Sequence, residues 1–262
     1  MNADGSNQIN LTHNPTMDWY PSWSPDGKEI LFGSYRNPVD DDDEDIYVMN
    51  ADGTNVRNLT NHPSVDCFAS WSPDGNRIAF ISDRHGQMDI YVMNIDGSSV
   101  HRVTNDSALN YYPDWSPDGS QIVYMSVDQW PGGNCEINIV NVDGSNRRNL
   151  SNHPDIDGYP SWSPDGTKIA FNREFHRGEE KIVNLFIMDP DGTQLVQLTH
   201  EPEGGGVPRW SPDGSKIVFQ YRSKNRKTDI YMINTDGTRR INLTNNPLGY
   251  DWYPAWSPAC RK

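Results

Sequence analysis

The sequence predicts an all-β propeller, a ring of four-stranded antiparallel blades forming one domain over residues 1–262, and three observations carry that prediction. Trp-Ser-Pro begins at Trp23, Trp71, Trp115, Trp162, Trp210 and Trp256, giving spacings of 48, 44, 47, 48 and 46 residues. A self-similar period of that length marks supersecondary units stacked on one another. Within each unit, apolar and polar residues alternate between turn signals, the period-two signature of half-buried strands, and no helical period appears.

The first strand of each unit runs into Trp-Ser-Pro-Asp-Gly, complete in the first five copies. Serine at i, proline presetting φ at i+1 and glycine at i+3 fit a type I turn. The second strand alternates as Ile30/Phe32, Ile78/Phe80, Ile122/Tyr124, Ile169/Phe171 and Ile217/Phe219. The third is Asp45-Ile-Tyr-Val-Met-Asn50, repeated at Asp89 to Asn94, Glu136 to Asn141, Asn184 to Asp189 and Asp229 to Asn234. Asp-Gly follows at Asp52, Asp96, Asp143, Asp191 and Asp236, a strong hairpin signal. The fourth strand ends in Leu-Thr or a variant, as at Leu59-Thr60 and Leu243-Thr244. Four such strands build a propeller blade.

Ring closure follows from the alignment of the ends. Met1 to Gly5 matches Met49 to Gly53, and Lys262 matches Glu29. Five complete repeats therefore run from about residue 18 to 244, flanked by an orphan fourth strand at 2–12 and an orphan first strand at 251–258. The expected closure is six-bladed, with an incomplete sixth blade in which the two orphan strands pair directly. The alternative is a five-bladed ring with the orphan strands outside it or exchanged between molecules.

Charge and composition narrow the partners. With 22 basic and 36 acidic residues the net charge is −14, and such a surface repels nucleic acid and anionic lipid. No apolar run approaches the length of a membrane span, so no membrane insertion is expected. The opening Met-Asn-Ala-Asp-Gly lacks the basic and apolar regions of a signal peptide. Cys67, Cys135 and Cys260 have no metal-ligand spacing and read as free thiols. Only 34% of residues are hydrophobic, but nine tryptophans and twelve tyrosines supply large buried areas.

The unit Asp-x-x-Pro-Ser-Trp-Ser-Pro-Asp-Gly…Ile-x-Phe…Asp-Ile-Tyr-Val-Met-Asn-x-Asp-Gly…Asn-Leu-Thr resembles the WD-like repeat of the bacterial TolB propeller family over essentially the whole chain. Similar repeats occur in propellers of prolyl-oligopeptidase relatives, the tricorn protease and oligogalacturonate lyase. The resemblance implies a periplasmic or secreted, non-catalytic binding scaffold that recognises a protein or glycan partner at the mouth of its channel. Because one fold hosts many activities, two other readings stand beside it: a metal-dependent polysaccharide lyase-like propeller, and a gating or regulatory propeller of a larger assembly.

A radial fold turns a repeated position into a ring, and first strands line a propeller's channel. Five residues before each tryptophan stand Asp18, Asp66, Asn110, Asp157, Gly205 and Asp251. Carboxylates gathered around one axis favour a hard cation, with Ca²⁺ the expected ion. Alternatively, each aspartate caps its own loop. Two residues further on, Tyr20, Phe68, Tyr112, Tyr159, Val207 and Tyr253 form an aromatic column. It reads either as a stacking platform for a ligand or as packing between blades. Gly204-Gly205-Gly206-Val207 breaks both columns and predicts an open notch.

Other candidates read as structural. His13, His62, His153 and His200 recur in the loop after the fourth strand, where the lyase resemblance would make them metal ligands and the His-Pro context makes them turn residues. The acidic run Asp40 to Asp45 is expected to be a solvated loop, opposite in sign to Arg222, Lys224, Arg226 and Lys227 in the equivalent loop of the fifth repeat. Gly-x-Ser-x-Gly, His-Glu-x-x-His and phosphate-binding glycine loops are absent, so serine-hydrolase chemistry is not expected.

Overall fold

A computed structural model describes residues 1–36, 44–128, 133–200, 204–222, 227–245 and 250–258. The first repeat forms β1 (Asp18–Trp23), β2 (Glu29–Ser34), β3 (Asp45–Asn50) and β4 (Arg57–Asn58), an antiparallel meander in the order β1-β2-β3-β4. Four more sheets repeat this order, their first strands being Asp66–Trp71, Leu109–Trp115, Ile156–Trp162 and Gly205–Trp210.

The turn chemistry matches the sequence. Gly27 N–H donates to the Ser24 carbonyl at 2.9 Å, closing the turn, while Ser24 Oγ donates to Asp26 at 2.8 Å and accepts from Glu29 N–H at 2.9 Å. The Lys28 ammonium, followed by the Ser24 hydroxyl and Lys28 N–H, pulls the Asp26 carboxyl down to about 2. The Leu-Thr ending also has a physical reason. Thr60 Oγ1 donates to Asp45 at 2.9 Å and accepts from Ile46 N–H at 3.1 Å, tying the outermost strand to the third. The same bonds join Thr104 to Asp89 and Thr244 to Asp229.

Blades are welded by apolar side chains and by indoles. Leu31, Ile46 and Val48 of the first blade pack with Ile78, Phe80, Tyr91 and Met93 of the second. Each fully buried side chain of this size contributes about 1.5–3 kcal/mol. Trp71, Trp115 and Trp210 each donate Nε1–H to a carbonyl of the preceding blade, at 3.1–3.2 Å.

The expected sixth blade is not formed. The described residues hold five sheets, and neither 2–12 nor 251–258 pairs in a ladder. The reason is geometric: the first and fourth strands of a blade are three strand spacings of about 4.8 Å apart, too far to bond directly. Both segments nevertheless lie between the fifth blade and the first. Trp256 Nε1 donates to the Arg209 carbonyl at 3.2 Å, extending the indole series. Gly5 and Gly53, both at φ +85, pack so tightly that a Cβ would fall 1.9 Å from the Leu243 oxygen and 2.5 Å from the Leu11 oxygen. The N-terminal segment thus sits against the fifth blade on one side and the first on the other.

Of the acidic run, Glu44 and Asp45 are buried rather than solvated, because Asp45 opens β3 and holds Thr60; residues 40–43 lie outside the described residues. Cys67 and Cys135 are free and buried as expected, and Cys260 lies outside the described residues. No helix among the described residues is long and apolar enough to cross a membrane.

Candidate functional site: the channel

Each first strand carries a bulge at the same place. In β1 the register shifts between Trp19 and Ser22, and the residue at the shift, Tyr20, has φ +51. Phe68, Tyr112, Tyr159, Val207 and Tyr253 share this left-handed conformation, with φ between 53 and 56. Bulges re-aim side chains, and these bring the rings together. Tyr20 lies 3.9 Å from Phe68 and 4.0 Å from Tyr253 between centroids, Phe68 lies 4.3 Å from Tyr112, and Tyr112 lies 4.1 Å from Tyr159. Phenol–phenol hydrogen bonds of 3.0 Å join Tyr20 to Tyr253 and Tyr112 to Tyr159. Burial pushes the Tyr20 and Tyr112 phenols far above their ordinary range. The aromatic column is therefore a ring of mutually packed side chains from neighbouring positions, including the terminal one at Tyr253.

Tyr20, Phe68, Tyr112 and Tyr253 also form one wall of a cavity of about 480 Å³ on the side of the Trp-Ser-Pro turns. One proline from each of six turn positions, Pro25, Pro73, Pro117, Pro164, Pro212 and Pro258, lines it. Between prolines and rings runs a third column, the residue just before each tryptophan: Ser22, Ser70, Asp114, Ser161, Arg209 and Ala255. Four are small and neutral or hydroxylic; two carry opposite charges. Asp114 Oδ2 accepts from Trp162 N–H at 2.7 Å, and burial raises its pKa against the pull of Arg209. Arg209 Nη1 donates to the Pro208 carbonyl at 2.9 Å. Burial lowers its pKa while Asp114 opposes that shift. Each of the two charges thus offsets part of the other's burial shift. This column does not stand out as a repeat in the sequence. Its available signal was the replacement of serine or alanine by charge at two of six equivalent positions.

The aspartate column is arranged differently. Asp18 pairs with Arg36 at 2.7 Å, Asp66 with Arg84 at 3.0 Å through both oxygens, and Asp157 with Arg173 through two 2.7 Å bonds. Each arginine belongs to the same blade as its aspartate. Burial raises the Asp66 and Asp157 pKa values, and the facing guanidinium opposes that rise. Asn110 donates to Asp89 and Thr104 at 3.2 Å, while Asp251 N–H donates to the Thr228 carbonyl at 2.8 Å. Among the described residues no three His, Cys, Asp or Glu side chains come close enough to share a metal ion. The glycine break is packed, not open: a Cβ on Gly205 would lie 3.0 Å from the Phe219 ring and one on Gly206 3.4 Å from Asn172. His13 and His200 are exposed, His62 and His153 half-buried, and each stays on its own blade's loop.

The fold and this channel define a β-propeller of WD-like repeats. The chain belongs to the family described as the TolB beta propeller domain, whose model matches residues 37–174 and 133–262. Among solved structures it is similar to TolB from Acinetobacter baumannii, at 26% identity and a TM-score of 0.81 over 98% of this chain. The chain spans 61% of that protein's length. It is also similar to a putative TolB from Agrobacterium tumefaciens, at 23% identity and a TM-score of 0.74 over 88% of this chain and 81% of that one. An oligogalacturonate lyase in complex with manganese shares the fold at 18% identity and a TM-score of 0.62, over 86% of this chain and 64% of that one. Comparison with curated protein sequences finds no match.

Proposed function

We propose that this propeller is a non-catalytic binding module that takes a segment of a partner, a polypeptide in preference to a glycan, into the mouth of its channel. The observation that carries this reading is the charged break in an otherwise neutral ring: Arg209 and Asp114 flank Ser161 inside a cavity walled by prolines and tyrosines. A guanidinium in a concave, partly apolar site recognises a carboxylate with geometric specificity. Proline and aromatic walls favour aliphatic side chains over sugar hydroxyls. The TolB family membership supports the binding role and an extracytoplasmic location.

The lyase reading would require several metal-ligating histidines to converge, and the loop histidines do not. A Ca²⁺ ion at the aspartate column is a separate proposal, opposed by the arginines already there. The test is capture from a bacterial envelope extract with the wild-type chain and with an Arg209→Gln, Asp114→Asn double variant. A partner held by the wild type and lost by the equally stable double variant supports the reading. Capture indifferent to the double variant, or release of unsaturated products from oligogalacturonate, overturns it.

A further inference from the structure

In four of the five described blades a guanidinium caps a pair of rings on the second and third strands. Phe32 and Tyr47 face each other across their strands, 5.8 Å between centroids, and the Arg36 guanidinium lies 4.8 and 5.1 Å from them. Phe80 and Tyr91 lie under Arg84, Phe171 and Phe186 under Arg173, and Tyr221 and Tyr231 under Arg240, at 5.0–5.7 Å. Such stacks add cation–π attraction to ring packing. In the first and fifth blades the phenol has a further partner: Asn58 Nδ2 donates to the Tyr47 hydroxyl, and Asn242 Nδ2 to that of Tyr231, each at 3.3 Å.

The third blade keeps the surroundings of this stack but not its second ring. Arg147 stands at the position of Arg240, and its Nη2 donates to Ser126 Oγ at 3.2 Å, as Arg36 and Arg84 donate to Ser34 and Ser82 at 3.0 and 2.9 Å. Asn149 stands at the position of Asn58 and Asn242. Its Oδ1 accepts from Ser151 N–H at 3.1 Å and Asn152 N–H at 2.9 Å, while its Nδ2 donates no bond among the described residues. Yet the residue paired with Tyr124 across the strands is Asn138, where the other blades have Tyr47, Tyr91, Phe186 and Tyr231.

At that place lies a cavity of about 310 Å³, lined by Ser126, Asp128, Glu136, Asn138, Arg147 and Asn149. Asn138 is only 4% exposed. Its Nδ2 donates to the Glu136 carbonyl at 3.3 Å, but its Oδ1 accepts nothing among the described residues. A buried amide oxygen is ordinarily matched by a donor. Two carboxylates line the cavity against one guanidinium, and that guanidinium is already paired with Asp106. Asp128, exposed at the rim, occupies the position where the first two blades carry Arg36 and Arg84.

We propose that this cavity is a binding site for a phenol with a cationic side arm, the 4-hydroxyphenethylammonium group. The ligand's ring takes the place of the missing tyrosine ring beside Arg147. Its hydroxyl accepts from Asn149 Nδ2, as the phenols of Tyr47 and Tyr231 do from their asparagines. Its ammonium, leaving from the para position near the third strand, donates to Asn138 Oδ1 and Asp128. The site lies on the second, third and fourth strands of one blade, away from the channel, so it is independent of the channel reading. A free aromatic amine carries this group, and so does a peptide whose N-terminal residue is tyrosine.

The test is calorimetric titration of the full chain with tyramine and, separately, with the amidated peptide Tyr-Gly-Gly. The expected result is one-site binding of tyramine with Kd below about 1 mM. Both p-cresol, which lacks the ammonium, and phenethylamine, which lacks the hydroxyl, are expected to bind at least about threefold more weakly. Asn138→Tyr fills the cavity with the chain's own ring and should abolish binding without lowering the melting temperature. Asp128→Asn, a change on the exposed rim, should weaken tyramine by up to about fivefold and leave p-cresol unchanged. Peptide binding as tight as that of tyramine assigns the site to an N-terminal tyrosine, and a preference for tyramine assigns it to a free amine. Absence of saturable binding of either up to about 1 mM, or binding that neither variant alters, overturns the proposal.

Discussion

The aspartate column and the column just before the tryptophans are both six-membered rings on the first strands, yet they differ in what they leave unanswered. Every position of the first that bears an aspartate and closes a complete blade has its own arginine, down to the two 2.7 Å bonds between Asp157 and Arg173. Serine fills half of the second, and its two charges, Asp114 and Arg209, both line a cavity. The lesson is that a position repeated faithfully around a propeller serves the blade, whereas a position where the repeat fails is free to serve a ligand.

The largest effect expected from this contrast is on stability. Arg173→Ala leaves the fully buried Asp157 carboxylate unpaired and should cost about 3–5 kcal/mol, seen as a lower denaturant midpoint. If Arg173→Ala is silent, the aspartate column is not structural and the contrast collapses. Tyr112→Ala removes a ring packed between Phe68 and Tyr159 and should cost about 3–5 kcal/mol. Little loss would show that the rings are a platform and not packing.

A smaller effect falls on pH dependence. Burial pushes the Glu44 carboxyl up to about 7, from an ordinary 4.5. The folded state then holds its proton more tightly than the unfolded chain does. The group's contribution is favourable below 4.5, declines as pH rises from 4.5 to about 7, and is constant above that. Glu44→Gln should therefore gain stability over the wild type above pH 7 and little below 4.5, compared by denaturant midpoints at the two pH values. The smallest effect is expected from calcium. With their arginines in place the aspartates predict melting temperatures unchanged between Ca²⁺ and chelator. A shift of about 5 °C or more, abolished by Asp66→Asn with Asp157→Asn, would restore the cation.

Most of the fold was legible because turn chemistry and period-two strands are local. Trp-Ser-Pro-Asp-Gly specifies its turn through bonds within six residues, and the Leu-Thr ending needs one aspartate fifteen residues away. Closure was not legible, since whether 2–12 pairs with 251–258 depends on strand spacing across the ring. The site was half legible. Periodicity located the aromatic column, but the arginines that neutralise the aspartates sit 16 or 18 residues downstream, Arg36 and Arg84 just past a second strand and Arg173 inside one, so alignment by repeat does not bring them together. Arg209 and Asp114 escaped notice because a search for repetition discards the exceptions.

The central claim is that the exceptions bind. The most direct measurement is the affinity of the captured partner for the wild type and for Arg209→Gln, with the melting temperature of each recorded alongside. The account predicts binding weakened about tenfold or more with melting unchanged. Equal affinity in the two proteins, or a loss that merely tracks a fall in melting temperature, would contradict it.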